Sequence, residues 1–408
     1  MVPQALPAAA KGVSFASMNL SHRFFALQDM LETHADLWRP RPFCVETPDW
    51  VARYPALQAD VLALSDEEVI ALEADDAARL AWVASRIPAL NGLRSLTEVP
   101  RSEARAMPLC DAHFDWAIPG RKREQIEAFA AALDPVDAPV LEWCAGKGHL
   151  GRRLAMQGAK AVTSLEIDPA LCAQSALLAT RARLAQHMVC ADALSAEAQA
   201  RVATHHVVAL HACGELHRTL VRGAARGAAA GFSIAPCCYD RGVTGDFRPV
   251  SAAATMRLDA GDLRLAITES VTSGGRERRQ HALDSAFKLG FIALRAALDG
   301  DGYRPFRSVP AAWVRAGFEG FCRLLAAREG IMLPGAVNWD EWQALGRARY
   351  AQVARYDLVR HVFRRALEVW LVGDLALGLE VAGYRVKLGY FCDRAITPRN
   401  LLVQAARA

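Results

Sequence analysis

The chain has 408 residues, of which 52% are hydrophobic and 23% charged, and its formal net charge is +4. That balance excludes wholesale disorder and fibrous repeats, and the length suits two or three structural units. The charge permits a nucleic-acid partner without demanding one. The basic residues are nearly all Arg, whose planar fork suits phosphate, although an Arg- and Ala-rich genome is the plainer explanation.

Residues 1 to about 20 are rich in Pro and Ala and are expected to fray. They contain no basic segment followed by an apolar core, so no secretory signal is expected. From Phe24 to about Leu96 the pattern is helical, with Ser65-Asp66-Glu67-Glu68 as an N-cap and acidic first turn. Residues 1–115 therefore read as an N-terminal helical region. Asp134 to Pro139 is a breaker segment. Short apolar strands then alternate with helix-length stretches: Val140–Trp143, Ala161–Leu165, Met188–Cys190, His206–Leu210 and Phe232–Ala235. Such alternation argues for βαβ units, a parallel sheet and an α/β fold. After Asp240 it stops, and residues 241–345 read as a helical insertion with loops at Gly300–Pro310 and Leu333–Val337. A long helical stretch, Arg347–Ala382, leads to two further strands, Tyr384–Phe391 and Leu401–Gln404. These have hairpin character and would close a seven-stranded Rossmann-like sheet built from 116–240 and 346–408. The most apolar segment, Ala366 to Tyr384, carries Glu368, Asp374 and Glu380, so no membrane span is expected. Ten cysteines at irregular spacing, with no CxxC pair, suit the reduced cytoplasm.

The informative segment is Val140-Leu-Glu-Trp-Cys-Ala-Gly-Lys-Gly-His-Leu-Gly151. A strand ends at an acid, turns through Gly146 and Gly148, and enters a helix whose first N–H groups are free for a ligand. Glu166 follows the second strand and can accept both hydroxyls of a ribose; Asp192 follows the third and can accept from an adenine amino group. Any one acid alone is more simply a helix cap. Three at consecutive strand ends beside a glycine turn converge on one ligand. Gly146-Lys-Gly148-His-Leu-Gly151 also fits the dinucleotide string G-x-G-x-x-G, but the acid of the first strand and the later Asp192 favour S-adenosylmethionine (SAM).

These three motifs resemble the first three of SAM-dependent class I methyltransferases. The resemblance implies that Glu142 and the Gly146/Gly148 backbone lie by the methionine part, Glu166 at the ribose and Asp192 at the adenine. It adds Cys144, Leu150, Ile167, Ala193 and His211 as cofactor-binding candidates. Cys144 departs from the pattern, standing where the first glycine is usual. Leu210-His-Ala-Cys-Gly214 and Pro236-Cys-Cys-Tyr239 end the fourth and fifth strands. With Ile118-Pro-Gly-Arg-Lys-Arg-Glu-Gln125 and Thr397-Pro-Arg-Asn400, they narrow the resemblance. The chain is similar to a group with methyltransferase-like 25 proteins, the glutathione-transferase-C-terminal-domain-containing protein and, distantly, tRNA acceptor-stem 2′-O-methyltransferases. The likeness covers about 115–240 and 380–405. The tRNA enzymes carry zinc motifs whose spacing this chain lacks, so no metal site is expected.

In a sheet ordered 3-2-1-4-5, His211, Cys213, Cys237, Cys238 and Tyr239 would line one side of the cleft. His211 or Glu215 would act as base and Tyr239 would orient the acceptor; a strand-end histidine and packed cysteines are the plainer alternatives. Pro236-Cys237 as a covalent nucleophile requires a low thiol pKa. A metal held by His211, Cys213, Cys237 and Cys238 is chemically possible but lacks an established ligand spacing. Arg121, Lys122, Arg123 and the insertion, with Arg276, Arg278 and Arg279, suit an RNA acceptor; each cluster is also an ordinary solvated face. The reading is therefore a SAM-dependent methyltransferase of tRNA or rRNA, the alternatives being a protein or small-molecule acceptor, or a non-catalytic fold.

Overall fold

The computed structural model describes residues 19–110, 114, 118–268, 275–300 and 302–407. The frayed N-terminus expected over 1–18, and parts of the insertion at 269–274 and 301, lie outside these residues. The strands are β1 (Val140–Trp143), β2 (Val162–Glu166), β3 (Gln186–Cys190), β4 (His206–Cys213), β5 (Gly231–Cys237), β6 (Tyr384–Tyr390) and β7 (Leu401–Arg407). They form one sheet in the order β3-β2-β1-β4-β5-β7-β6. The first five are parallel, while β7 runs antiparallel to both neighbours. Every residue of β1 and of β5 is buried, as expected of strands covered on both faces.

Helices alternate with the parallel strands at His149–Met156, Pro169–Arg181, Ala196–Ala200 and Glu215–Gly223. The crossover from β3 to β4 passes back across β1, so the strand order reverses between β1 and β4. Ligands bind at such a switch point, beyond the carboxyl ends of the strands.

The rest is helical. The expected N-cap is a full capping box: Ser65 N–H donates to Glu68 Oε2 at 2.8 Å, and Glu68 N–H to Ser65 Oγ at 3.2 Å. The stretch expected as one helix over Arg347–Ala382 is two, Trp339–His361 and Arg364–Val381, broken at Val362–Phe363. The second is the apolar segment, and it lies between the sheet and the N-terminal helices. Trp370 stacks on Phe24 at 5.4 Å, so residues of the N-terminal region, insertion and sheet share one core. Its acids are paired: Asp374 accepts from Val250 N–H at 2.8 Å and Ser251 N–H at 2.7 Å, and Glu368 from Arg365 at 2.7 Å. Among the described residues no helix is long and apolar enough to cross a membrane.

Candidate active site

At the β1 end, the chain alternates through the left-handed region: Cys144, Gly146 and Gly148 have φ of 55°, 58° and 63°. Cys144 thus adopts the backbone of the glycine it replaces, at about 1 kcal/mol of strain. A Cβ on Gly146 would meet nothing within 4 Å, so this face of the turn is open. Gly151, one helical turn on, sits tight: a Cβ there would lie 2.5 Å from Glu142 Oε2 and 2.6 Å from Ser164 Oγ.

Those contacts show what Glu142 does. Its carboxylate is 4% exposed and takes hydrogen bonds from Ser164 Oγ at 2.6 Å and from the Gly151 N–H. Gln186 Nε2 tethers Gly148 O at 3.0 Å and Ser164 Oγ at 2.6 Å. Burial pushes the Glu142 carboxyl up to about 7, against the pull of Ser164, Gly151, Arg152 and Lys122. Glu142 therefore braces the turn from behind. Buried Arg152 clasps it from the helix side, donating to Lys147 O at 3.0 Å.

Glu166 also holds the turn. Its Oε2 accepts from Gly146 N–H at 2.8 Å, and its Oε1 from Ile167 and Asp168 N–H at 2.9 and 3.1 Å. A carboxylate offers about four lone-pair sites, so one remains for a ribose hydroxyl. The Ala191 N–H donates to Glu166 O at 2.9 Å, which sets the Asp192 turn beside it. Asp192 is exposed, with Oδ1 accepting from Leu194 N–H at 2.9 Å. Next to these acids in the chain are two exposed apolar side chains, Ile167 at 62% and Leu194 at 48%. Apolar surface beside free carboxylate oxygens fits a nucleoside. Leu150 and Ala193 are buried and offer only backbone. The Cys144 thiol is pushed up to about 12 by burial and then by the fields of Glu166, Cys213, Asp192 and Glu142. The three acids and the β4 edge thus converge around Cys144.

Across the cleft, His211 is left-handed at φ 67°. Its Nε2 lies 3.1 Å from Gln125 Oε1, while Gln125 Nε2 donates to Ile396 O at 3.2 Å. That second bond orients the amide, so His211 Nε2 carries the proton and Nδ1 is the free acceptor. Burial, then Lys122 and Arg399, push the imidazole down to about 4, leaving it neutral near pH 7. Lys122 also acts on Glu142 and on His149, whose ring burial pushes down to about 3. The exposed first turn of the helix Gly120–Ala132, with Arg121, Lys122 and Arg123, accordingly borders the cleft.

Three expected catalytic residues are engaged elsewhere. Glu215 is held by Arg218 at 2.7 Å and Arg222 at 2.6 Å; against partial burial, these guanidiniums keep its carboxyl below the usual range. A carboxylate so paired is a poor base. Tyr239 is 1% exposed, with its hydroxyl 3.4 Å from Pro236 O and 3.5 Å from Glu368; burial raises it further. It faces the core and orients no acceptor. Cys237 is 3% exposed, and its hydrogen bonds with Cys213 and Cys238 push its thiol far up, the opposite of an activated nucleophile. The pattern reading missed Gln125, Ser164, Gln186 and Arg152. Only Gln125 had a signal: it follows Arg121 by four residues, on the same helix face.

Residues 121–242 match the family model of a methyltransferase domain. That stretch is a methyltransferase domain. The acids and glycine turn described above all lie within the matched residues. No curated protein sequence matches the chain. Among solved structures, it resembles one concerned with conversion of a disulfide bond into a thioacetal group during echinomycin biosynthesis. That likeness has 23% identity and a TM-score of 0.21, over 24% of this chain and 44% of that one. A TehB-like SAM-dependent methyltransferase from Corynebacterium glutamicum is 19% identical, with a TM-score of 0.22, over 27% and 60%. The glycopeptide N-methyltransferase MtfA complexed with SAM is 19% identical, with a TM-score of 0.23, over 37% and 69%. The chain thus spans 44% and 60% of the first two. Nothing about this chain's acceptor follows from likenesses so slight.

Proposed function

We propose that this methyltransferase acts on RNA, tRNA or rRNA, by direct in-line transfer, as a member of the group resembling the methyltransferase-like 25 proteins. The helices of residues 241–345 would carry substrate recognition. Ten cysteines, none in a disulfide among the described residues, support a reducing compartment, which we take to be the cytoplasm.

One observation carries the acceptor reading. The charge of Lys122 reaches His211, His149 and Glu142, so the exposed helix turn that carries it forms a cationic rim on the acceptor side of the cleft. Arg121 and Arg123 extend that rim along the exposed helix turn. A rim of this sign beside a polar base suits a phosphate backbone positioning a nucleotide.

Bound SAM supplies an electrophilic methyl group on a sulfonium. The chain's part is to hold the adenosine between Glu166 and Asp192 and to present an acceptor atom in line. Neutral His211, with Nε2 pinned by Gln125, offers Nδ1 as an acceptor that orients the incoming nucleophile.

Radiolabelled methyl transfer into fractionated total RNA, protein and small molecules tests the reading. Label in RNA is expected, and label confined to protein or to small molecules refutes it. With RNA as acceptor, Lys122→Glu is expected to lower transfer roughly tenfold while the SAM Kd stays within about twofold.

A further inference from the structure

We propose that Cys213, Cys237 and Cys238 form a binding site for one thiophilic divalent cation, zinc by the chemistry of its ligands, with a fourth coordination position left to water or a ligand atom. The three Sγ atoms all lie within 4.8 Å of one another, and no other His, Cys, Asp or Glu donor among the described residues joins them. Cys213 Sγ and Cys237 Sγ are 3.5 Å apart. Zinc–thiolate bonds of about 2.3 Å in tetrahedral geometry place sulfurs about 3.8 Å apart, so small side-chain adjustments close the site.

The backbone, not chance proximity, assembles the cluster. Successive strand residues point to opposite faces, so Cys237 and Cys238 should present their thiols on opposite sides. They do not, because Cys238 is left-handed at φ 45°. On the neighbouring strand, β4 has two residues, His211 and Ala212, between Leu210 and Cys213 where β5 has only Pro236 between Ala235 and Cys237. This bulge contains left-handed His211 and sets Cys213 directly opposite Cys237. Two strained non-glycine residues on two strands thus deliver three thiols to one point. Such conformations cost of order 1–3 kcal/mol each and persist where the surroundings over-determine them.

Cys213 and Cys238 are half-buried, so the cluster is within reach of solvent. Three thiolates around a divalent cation leave one negative charge, and the Arg241 guanidinium is placed to offset it. Three protein ligands without a fourth is the arrangement of an open site; closed structural zinc sites have four. A Cys213–Cys237 disulfide would use only two of the thiols and leave the conformation of Cys238 without a reason.

The test uses the full chain, reduced and handled without oxygen, titrated with Co²⁺ and then back-titrated with Zn²⁺. One cobalt per chain is expected, with a thiolate-to-cobalt charge-transfer band that zinc abolishes. Cys213→Ser and Cys238→Ser, each checked for folding by circular dichroism, are expected to lose the band or weaken binding at least about tenfold. Cys190→Ser should keep it. Folded, reduced wild type that shows no band would overturn the proposal. So would a band that survives in both serine variants, or a Cys213–Cys237 disulfide that forms at saturating cobalt. The readout needs no methyl donor, so it succeeds or fails independently of methyl transfer.

Discussion

The two halves of the cleft are built differently. At the ends of β1 and β2, glycines take the left-handed positions and carboxylates collect backbone N–H groups: Glu166 holds Gly146, and Glu142 holds Gly151. At the ends of β4 and β5, the left-handed residues are His211 and Cys238, and the side chains gathered are thiols and an imidazole. The first half is a cradle shaped for a nucleoside, with its strain relieved by glycine at every left-handed position but Cys144. The second keeps its strain and concentrates nucleophilic and metal-ligating atoms. Cofactor binding should therefore depend on the first half and chemistry on the second.

The largest effect that would sharpen this contrast is at Gly151. Its Cβ would collide with Glu142, Ser164 and Gln186, so Gly151→Ala is expected to destabilise the domain by about 2 kcal/mol or more and to abolish measurable SAM binding. Thermal melts and isothermal titration check both. Next is Asp192→Ala, expected to weaken SAM roughly tenfold to a hundredfold at unchanged stability, from loss of a hydrogen bond to a charged group. Unchanged affinity would remove Asp192 from the adenine site.

Glu142 gives a pH-dependent effect. Folding raises its pKa from 4.5 to about 7 by burial, so the folded state holds this proton longer than the unfolded chain. Its contribution to stability is full below pH 4.5 and is lost as pH rises through 7, by up to about 3 kcal/mol. Glu142→Gln should match wild type at pH 5 and exceed it in melting temperature at pH 8.5. Equal pH profiles would mean that Glu142 is solvated. The smallest effect is at Cys144, where Cys144→Gly removes left-handed strain and should change stability by no more than about 1 kcal/mol. A loss of SAM affinity there would show that the thiol, not the backbone, matters.

Much of this was legible in the residues. Strand order follows from alternating apolar runs and acids at consecutive strand ends, because each signal is local. The capping box at Ser65 is local too. What stayed hidden depends on partners distant in sequence. Glu215 reads as a free acid until Arg218 and Arg222 close on it, and Tyr239 as a cleft residue until Glu368, 129 positions later, reaches its hydroxyl. The thiols were placed together by the expected strand order, but the metal reading was set aside because ligand spacing assumes ligands on one turn. Here a bulge and a left-handed residue supply the convergence, and neither has a composition signature. The break at Val362–Phe363 is likewise invisible in a helix-favouring stretch.

The pairing of β5 with β7 joins Gly231 to Ala406. Everything between them must leave the ribosome before that pairing can form. At about 5–20 residues per second, β5 waits roughly 10–30 s for its neighbour after its own synthesis. During that interval a strand that the fold buries at every residue presents an open edge, the kind of surface that recruits foreign strands. Yield in cells should then depend on how quickly translation passes the helical segment and on chaperones that shield β5 meanwhile.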